Sequence, residues 1–365
     1  MRISAAALLV PVLLALLPGS ASAFGYLDAH GNGTVLPGFS AVSIGLGGAK
    51  AVGFGDALSV LTNPADIYRI PGTSLTLSVG PGVIREMVED SLGKHDRTWM
   101  TLANLSGGAK FQAGPSIAVA AGIAAVSDFS YDGMHYTYDD DPGPQYGQIT
   151  EVRHLRVTGG LWESAAGVAW RPATWINVGV SAGLRFGSVP FDSTFEDRTD
   201  SLNDAEVSWT IEESAPAWHA GIALPLDLAR IGVCWASGTD HFDPSLTAGA
   251  LLYTDDARQA AFGAEAEIAD PGDANALTVR ILGQFLPSPG FTVRGSFFFM
   301  DRADEVEREG MGLAVGTGIA LGKITLNGGF SWSSVDRSAV AFGYEAPEDI
   351  KDSASLLSVG LTWNP

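Results

Sequence analysis

From about Ser74 to its end the chain repeats one unit: about ten residues alternating between apolar and small or polar side chains, then a turn, then another such run. Successive side chains of a strand point to opposite faces, so a period of two gives each run one greasy side. The clearest run sets Ile176, Val178, Val180, Ala182, Leu184 and Phe186 against Asn177, Gly179, Ser181, Gly183 and Arg185. The period returns in Leu277, Val279, Ile281 and Phe285 against Thr278, Arg280 and Gln284, and in Ile324, Leu326, Phe330 and Trp332 against Thr325, Asn327 and Ser331. In a soluble sandwich the greasy sides would face a core. Two features point instead to lipid. Trp170 and Trp175 flank the turn Arg171-Pro172-Ala173-Thr174, where an interfacial aromatic girdle lies, and the opposite faces are rich in the small residues that a narrow lumen needs. Tight links at Arg171 to Thr174, Pro225 to Asp227, Pro287 to Gly290 and around Gly322 alternate with longer polar ones at Asp128 to Gln148, Ser188 to Asp204, Asp301 to Glu309 and Asp336 to Ser353. The pattern predicts an all-β fold, a transmembrane antiparallel β-barrel of about 14 strands with an N-terminal plug.

The first residues name the compartment. Arg2, an apolar run from Ala5 to Leu17, Pro18, Gly19 and the triplet Ala21-Ser22-Ala23 form a signal peptide with cleavage expected after Ala23. That run is too short to span a bilayer as a helix, and the longest later apolar stretch, Ile117 to Val126, covers about half a helical span. A helical membrane protein is thereby excluded, and a bacterial outer membrane is the expected location. No cysteine stands at the cleavage site, so a lipoprotein anchor is disfavoured. The mature chain would have 342 residues, and the full sequence carries 45 Gly, 9 Trp and 17 Phe with only 17% charged residues, unlike a water-soluble acidic enzyme. Acidic residues outnumber basic ones 41 to 21, which excludes nucleic acid as a partner.

Residues 24–70 break the alternation. They are glycine-rich, and Asp56 to Ala65, with Leu58, Leu61 and Ala65 suitably spaced, predicts a short helix. Folding back into the barrel is the economical placement, so the expected organisation is a signal peptide over 1–23, a hatch over 24–70 and a barrel over 71–365.

The residues that carry a family resemblance lie in that hatch: Gly45-Leu46-Gly47-Gly48-Ala49-Lys50-Ala51-Val52-Gly53-Phe54-Gly55, then Asp56-Ala57-Leu58, then Asn63-Pro64-Ala65. They resemble the hatch of the FadL-type outer-membrane transporters of hydrophobic compounds, in which a Gly-Ala-rich stretch leads to an Asn-Pro-Ala-Gly motif before the first barrel strand. Gly159-Gly160-Leu161-Trp162-Glu163-Ser164 with Ala166 to Trp170 and Val178-Gly179-Val180-Ser181, and Ala217 to Leu224 with Ala229-Arg230-Ile231-Gly232-Val233, follow the family's order through mid-barrel. The sequence departs from it at Asp66, where the family has Gly, and at Asn364-Pro365, which follow Trp363 where barrels end on an aromatic residue. The resemblance implies passage of a small hydrophobic or amphiphilic molecule, fatty-acid-like, gated by Asn63, Pro64, Ala65, Gly47 and Gly48. It also implies contact with outer-membrane lipid and assembly by the barrel-insertion machinery. The PorV-like secretion barrels share the Gly-Ala and Asn-Pro-Ala features, so a shuttle or scaffold for a secreted protein is the alternative.

Arg185, Arg280 and Arg294 sit on the polar phase of three strands and, being costly in lipid, are expected to face the lumen. There they would engage a ligand carboxylate or pair with interior Asp and Glu. Other motifs read as structural. Gly179-Val180-Ser181-Ala182-Gly183 matches the serine-hydrolase elbow formally, but alternation runs straight through it. His30, His95, His135, His154, His219 and His241 have no zinc spacing, Cys234 has no partner, and the Asp139-Asp140-Asp141 run lacks the spaced ligands of a calcium loop. Gly45 to Gly55 lacks the ending of a phosphate loop. The expectation is a non-enzymatic protein without cofactor or metal.

Overall fold

The computed structural model describes residues 34–53, 55–90, 93–129, 131–138, 149–198, 204–239, 242–254, 259–271, 276–302, 308–340 and 347–365. The signal peptide of 1–23, hatch residues 24–33 and 54, the run Asp139 to Asp141, and His30 and His241 lie outside the described residues.

A two-residue strand β1 (Thr34–Val35) opens the described chain. It is followed by β2 (Ser74–Asp90), β3 (Gly93–Gly114), β4 (Ile117–Asp128), β5 (Tyr131–Tyr138), β6 (Ile149–Val157), β7 (Gly160–Ala173), β8 (Ile176–Asp197), β9 (Ala205–Pro225) and β10 (Ala229–Ala236). The rest are β11 (Ser245–Tyr253), β12 (Ala260–Ala269), β13 (Ala276–Ser288), β14 (Phe291–Arg302), β15 (Arg308–Leu321), β16 (Ile324–Val340) and β17 (Pro347–Trp363). Without β1, β5 and β6, fourteen antiparallel strands close into a barrel, as β4 pairs directly with β7 and β17 returns to β2. Closure leaves no sheet edge for lipid to meet, the condition for spanning a bilayer with strands. No helix among the described residues is long and apolar enough to cross a membrane.

Side chains sort as the alternation predicts. In the lower half of β8, Val180 and Leu184 are exposed outward while Asn177, Ser181 and Arg185 are buried inward. Leu77, Leu252 and Phe262 are 63%, 62% and 62% exposed on the outer face, amid dozens of similar apolar neighbours, which only lipid can cover. Trp170, Trp175 and Trp363 stand exposed near the end where links are short.

Several expected loops are strand. β8 runs 22 residues through most of the stretch from Ser188 to Asp204, β9 runs 21, and part of Asp128 to Gln148 forms the hairpin β5–β6, which pairs with the far end of β8. β16 and β17 likewise consume most of Asp336 to Ser353. The reason is solvent. About ten residues span the bilayer, and beyond them water replaces lipid outside, so the inward phase turns apolar at Val189 and Phe191 while Asp192 and Glu196 face out. The backbone alternation is unbroken, but its polarity inverts and reads as irregular. The turn expected at Arg171 to Thr174 also tightens, to Thr174 and Trp175 between β7 and β8.

Residues 34–53 and 55–70 pack on the inward face of the strands. A short helix α1 (Ala41–Ile44), capped by Ser40, packs on β15, β16 and β17. The helix expected over Asp56 to Ala65 divides into two 3-10 turns, Ala57–Leu61 capped by Asp56 and Pro64–Arg69 capped by Asn63. Pro64 has no N–H to continue the first turn, so the chain restarts at a fresh cap. These turns pack on β3, β4, β7, β8 and β9. β1 adds an unforeseen contact: β4 leaves β3 after the pair Ser106–Ala124 and pairs instead with β1, Thr34 opposite Asp128 and Val35 opposite Ser127.

Candidate functional site

Spaces lie above and beneath the inner segment. The upper one, toward the long-loop end, is a cavity of about 180 Å³. Its apolar walls are Leu36, Phe39 and Leu61 of the inner segment, Val126 of β4 and Phe242 of the β10–β11 connection. Behind them an apolar cluster of Val126, Phe129, Tyr131, Leu155, Val157, Leu161, Val189 and Phe191 lines the inside of the tall wall under the β5–β6 hairpin. The wall is low on the other side, where β10, β11 and β12 have only 8, 9 and 10 residues.

Every charge identified beside this cavity on the inner wall has a counter-charge. Glu163 of β7 receives Arg185 Nε from β8 at 2.6 Å and His219 Nε2 from β9 at 2.5 Å. Arg185 also donates to Ser237 O at 3.0 Å and lies over the Phe242 ring at 4.9 Å. Lys50 of the inner segment pairs with Glu267 of β12, which also takes Arg280 of β13 at 2.8 Å. The next inward acid along β12, Glu265, accepts the backbone N–H groups of Lys50, Ala51 and Val52 at 2.9, 2.7 and 3.2 Å and faces Arg280 Nη1 at 3.3 Å. Burying such charges is tolerable only because they are paired and bonded.

The sequence-predicted residues separate into two groups. Gly48 and Arg185 line the cavity. The others, apart from Arg294, hold the inner segment in place. Gly47 and Gly48 have φ of 63° and 78°, and a Cβ on Gly48 would fall 1.6 Å from Pro37 O, so the turn requires glycine. Gly47 O accepts Arg280 Nε at 2.9 Å. Asn63 caps its turn through Ala65 N and donates to Ala51 O, while Pro64 and Ala65 press on Gly179 of the wall. Arg294 donates to Gln284 at 3.1 Å, away from the cavity. Sequence reasoning passed over Glu163, His219, Lys50, Glu265 and Glu267. A signal existed: an acid on the inward phase of a small-residue strand, with Glu163 opposite Arg185 and Glu265 opposite Arg280 in register.

Ser181 lies beside His219 across the strand pair, and His219 touches Glu163, so serine, histidine and acid do gather. They are not wired for nucleophilic attack. Ser181 Oγ donates to Val60 O at 2.7 Å beneath the inner segment, and His219 Nδ1 has no hydrogen-bond partner. Cys234 is a buried free thiol, and no cluster of metal-binding side chains occurs among the described residues.

No family model matches the sequence, and no curated protein matches it either. Solved structures do match in fold. The toluene transporter TodX of Pseudomonas putida superposes with a TM-score of 0.67 at 11% identity, covering 91% of this chain and 99% of that one. A FadL homologue of Pseudomonas aeruginosa gives 0.64 at 11% identity over 91% and 99%. The toluene transporter TbuX of Ralstonia pickettii gives 0.58 at 12% identity over 89% and 98%. At such identities the likeness is one of fold: a FadL-type barrel.

Proposed function

We propose that this protein is a passive, non-enzymatic channel of a bacterial outer membrane that admits a compact, uncharged hydrophobic molecule to the upper cavity and releases it sideways into the bilayer. The observation that carries this reading is the cavity shared by inner segment and wall. Its volume of about 180 Å³ compares with the roughly 150 Å³ apolar cavity that accommodates benzene. The toluene transport named for two barrels of the same fold fits that size.

In this reading residues 1–23 are removed, 24–70 act as the hatch and 71–365 form the barrel, with the short turns in the periplasm. The ligand enters over the low rim of β10 to β12. It leaves above the last β3–β4 pair, Ser106–Ala124, where β4 turns inward toward β1. A fatty-acid-like carboxylate is disfavoured as cargo. Arg185 and Arg280 already hold Glu163, Glu265 and Glu267, so a ligand carboxylate would have to displace a buried partner.

The test is binding of 4-fluorotoluene to the purified barrel in detergent, followed by fluorine NMR, with octanoate as competitor. Binding that Leu61→Phe abolishes and octanoate leaves untouched supports the proposal. Equal competition by octanoate, or no binding at all, overturns it.

A further inference from the structure

A larger space than the upper cavity, a mouth of about 620 Å³, lies beneath the inner segment at the short-turn end. Three elements each send an arginine to it: Arg69 from the end of the inner segment, Arg171 from β7 and Arg230 from β10. Arg69 and Arg230 donate to one and the same acceptor, Gly53 O, at 3.0 and 2.8 Å. Two guanidinium groups on a single carbonyl oxygen concentrate positive charge; Asp66 pairs with Arg230, and Asp227 stands on the rim. Arg230 is 3% exposed, so its charge is held in a poorly solvated place.

Arg171 differs from Arg185, Arg230 and Arg280, each of which holds a carboxylate. It is fixed by Thr174 O at 2.6 Å and by the Tyr68 ring, 5.3 Å from its guanidinium carbon, yet it has no carboxylate partner. Beside it Asn177 is only 6% exposed; its Oδ1 has no hydrogen-bond partner, and its amide Nδ2 is the group that can donate to a carboxylate. Aromatic surface from Tyr68 and Trp175 completes the lining. In a chain of net charge −20, an uncompensated guanidinium next to an unused amide and two aromatic rings has the chemistry of a carboxylate site with room for a ring.

We infer that this mouth binds small aromatic carboxylates, with Arg171 and Asn177 on the carboxylate and Tyr68 and Trp175 on the ring. The site is separate from the upper cavity and does not depend on what that cavity carries. Because Tyr68 and Arg69 form its roof, an occupied mouth touches the end of the inner segment directly.

The test uses the full barrel in detergent, titrated with benzoate, benzyl alcohol and inorganic phosphate by saturation-transfer NMR and calorimetry. Wild type is expected to prefer benzoate to both others. Arg171→Gln should weaken benzoate at least about tenfold, the worth of one charged hydrogen bond, and Arg171→Lys less. The Leu61→Phe change should leave benzoate binding intact, which separates this site from the upper one. Retained heat-modifiable gel mobility certifies that each variant barrel is folded. Unchanged benzoate affinity in folded Arg171→Gln overturns the assignment. So does benzyl alcohol matching benzoate, or phosphate matching it.

Discussion

Glu265 collects three backbone N–H groups of the inner segment, while its cross-strand neighbour Arg280 reaches Gly47 O, so two side chains fasten four backbone groups that otherwise lack partners. Removing the acid strands the three N–H groups and takes from the buried Arg280 one of its two carboxylate partners, leaving it Glu267. Glu265→Ala should therefore cost about 3–5 kcal/mol, read as a lower urea midpoint for the purified barrel, and Glu265→Gln, which keeps one acceptor, distinctly less. Glu163 plays the same part for Arg185 and His219. Arg185→Met should lower the melting temperature without creating affinity for octanoate, since it removes a counter-charge and exposes no cation. An octanoate complex in that variant would contradict the view that these arginines serve the wall.

At the scale of elements, inner segment and wall meet where side chains are missing. A Cβ on Gly179 of β8 would lie 2.3 Å from Ala65 N, and one on Gly329 of β16 would lie 2.2 Å from Ala41 O. Backbone atoms cannot swing aside, so Gly179→Ala and Gly329→Ala should each shift the segment and appear as added current steps in planar bilayers where wild type is quiet. Small residues on the inward phase were visible in the sequence, and so were strand phase, barrel class and the run of glycines that fits inside. What escaped was set by surroundings rather than by residue type. Val189 and Phe191 read as a break in pattern because water had replaced lipid outside them. Glu163 and Lys50 looked ordinary because their partners are 22 and 217 residues away. The division of the helix at Thr62 and Asn63 was legible in Pro64, whose missing N–H outweighs the spacing of Leu58, Leu61 and Ala65.

At the scale of the whole molecule, the parting of β3 from β4 makes a prediction about route. In a Cys234→Ala background, Leu105→Cys and Ala125→Cys joined by a short bis-maleimide should stop cellular uptake of labelled toluene yet leave 4-fluorotoluene binding unchanged. Loss of both would mean that the linkage has collapsed the cavity itself. The position of α1 has a consequence of another kind. Ala41, near the start of the described chain, packs its carbonyl against Gly329 and its amide on Ser78, while β17 must find β2 to seal the wall around them. Contacts spanning nearly the full chain form late and slowly. Until the final strands are threaded, the segment has no lodging, and once they are, it has no exit. Biogenesis must therefore trap the insert at the moment the seam zips shut, so a chain truncated before β15 should leave residues 34–70 open to protease, however well its earlier hairpins have formed.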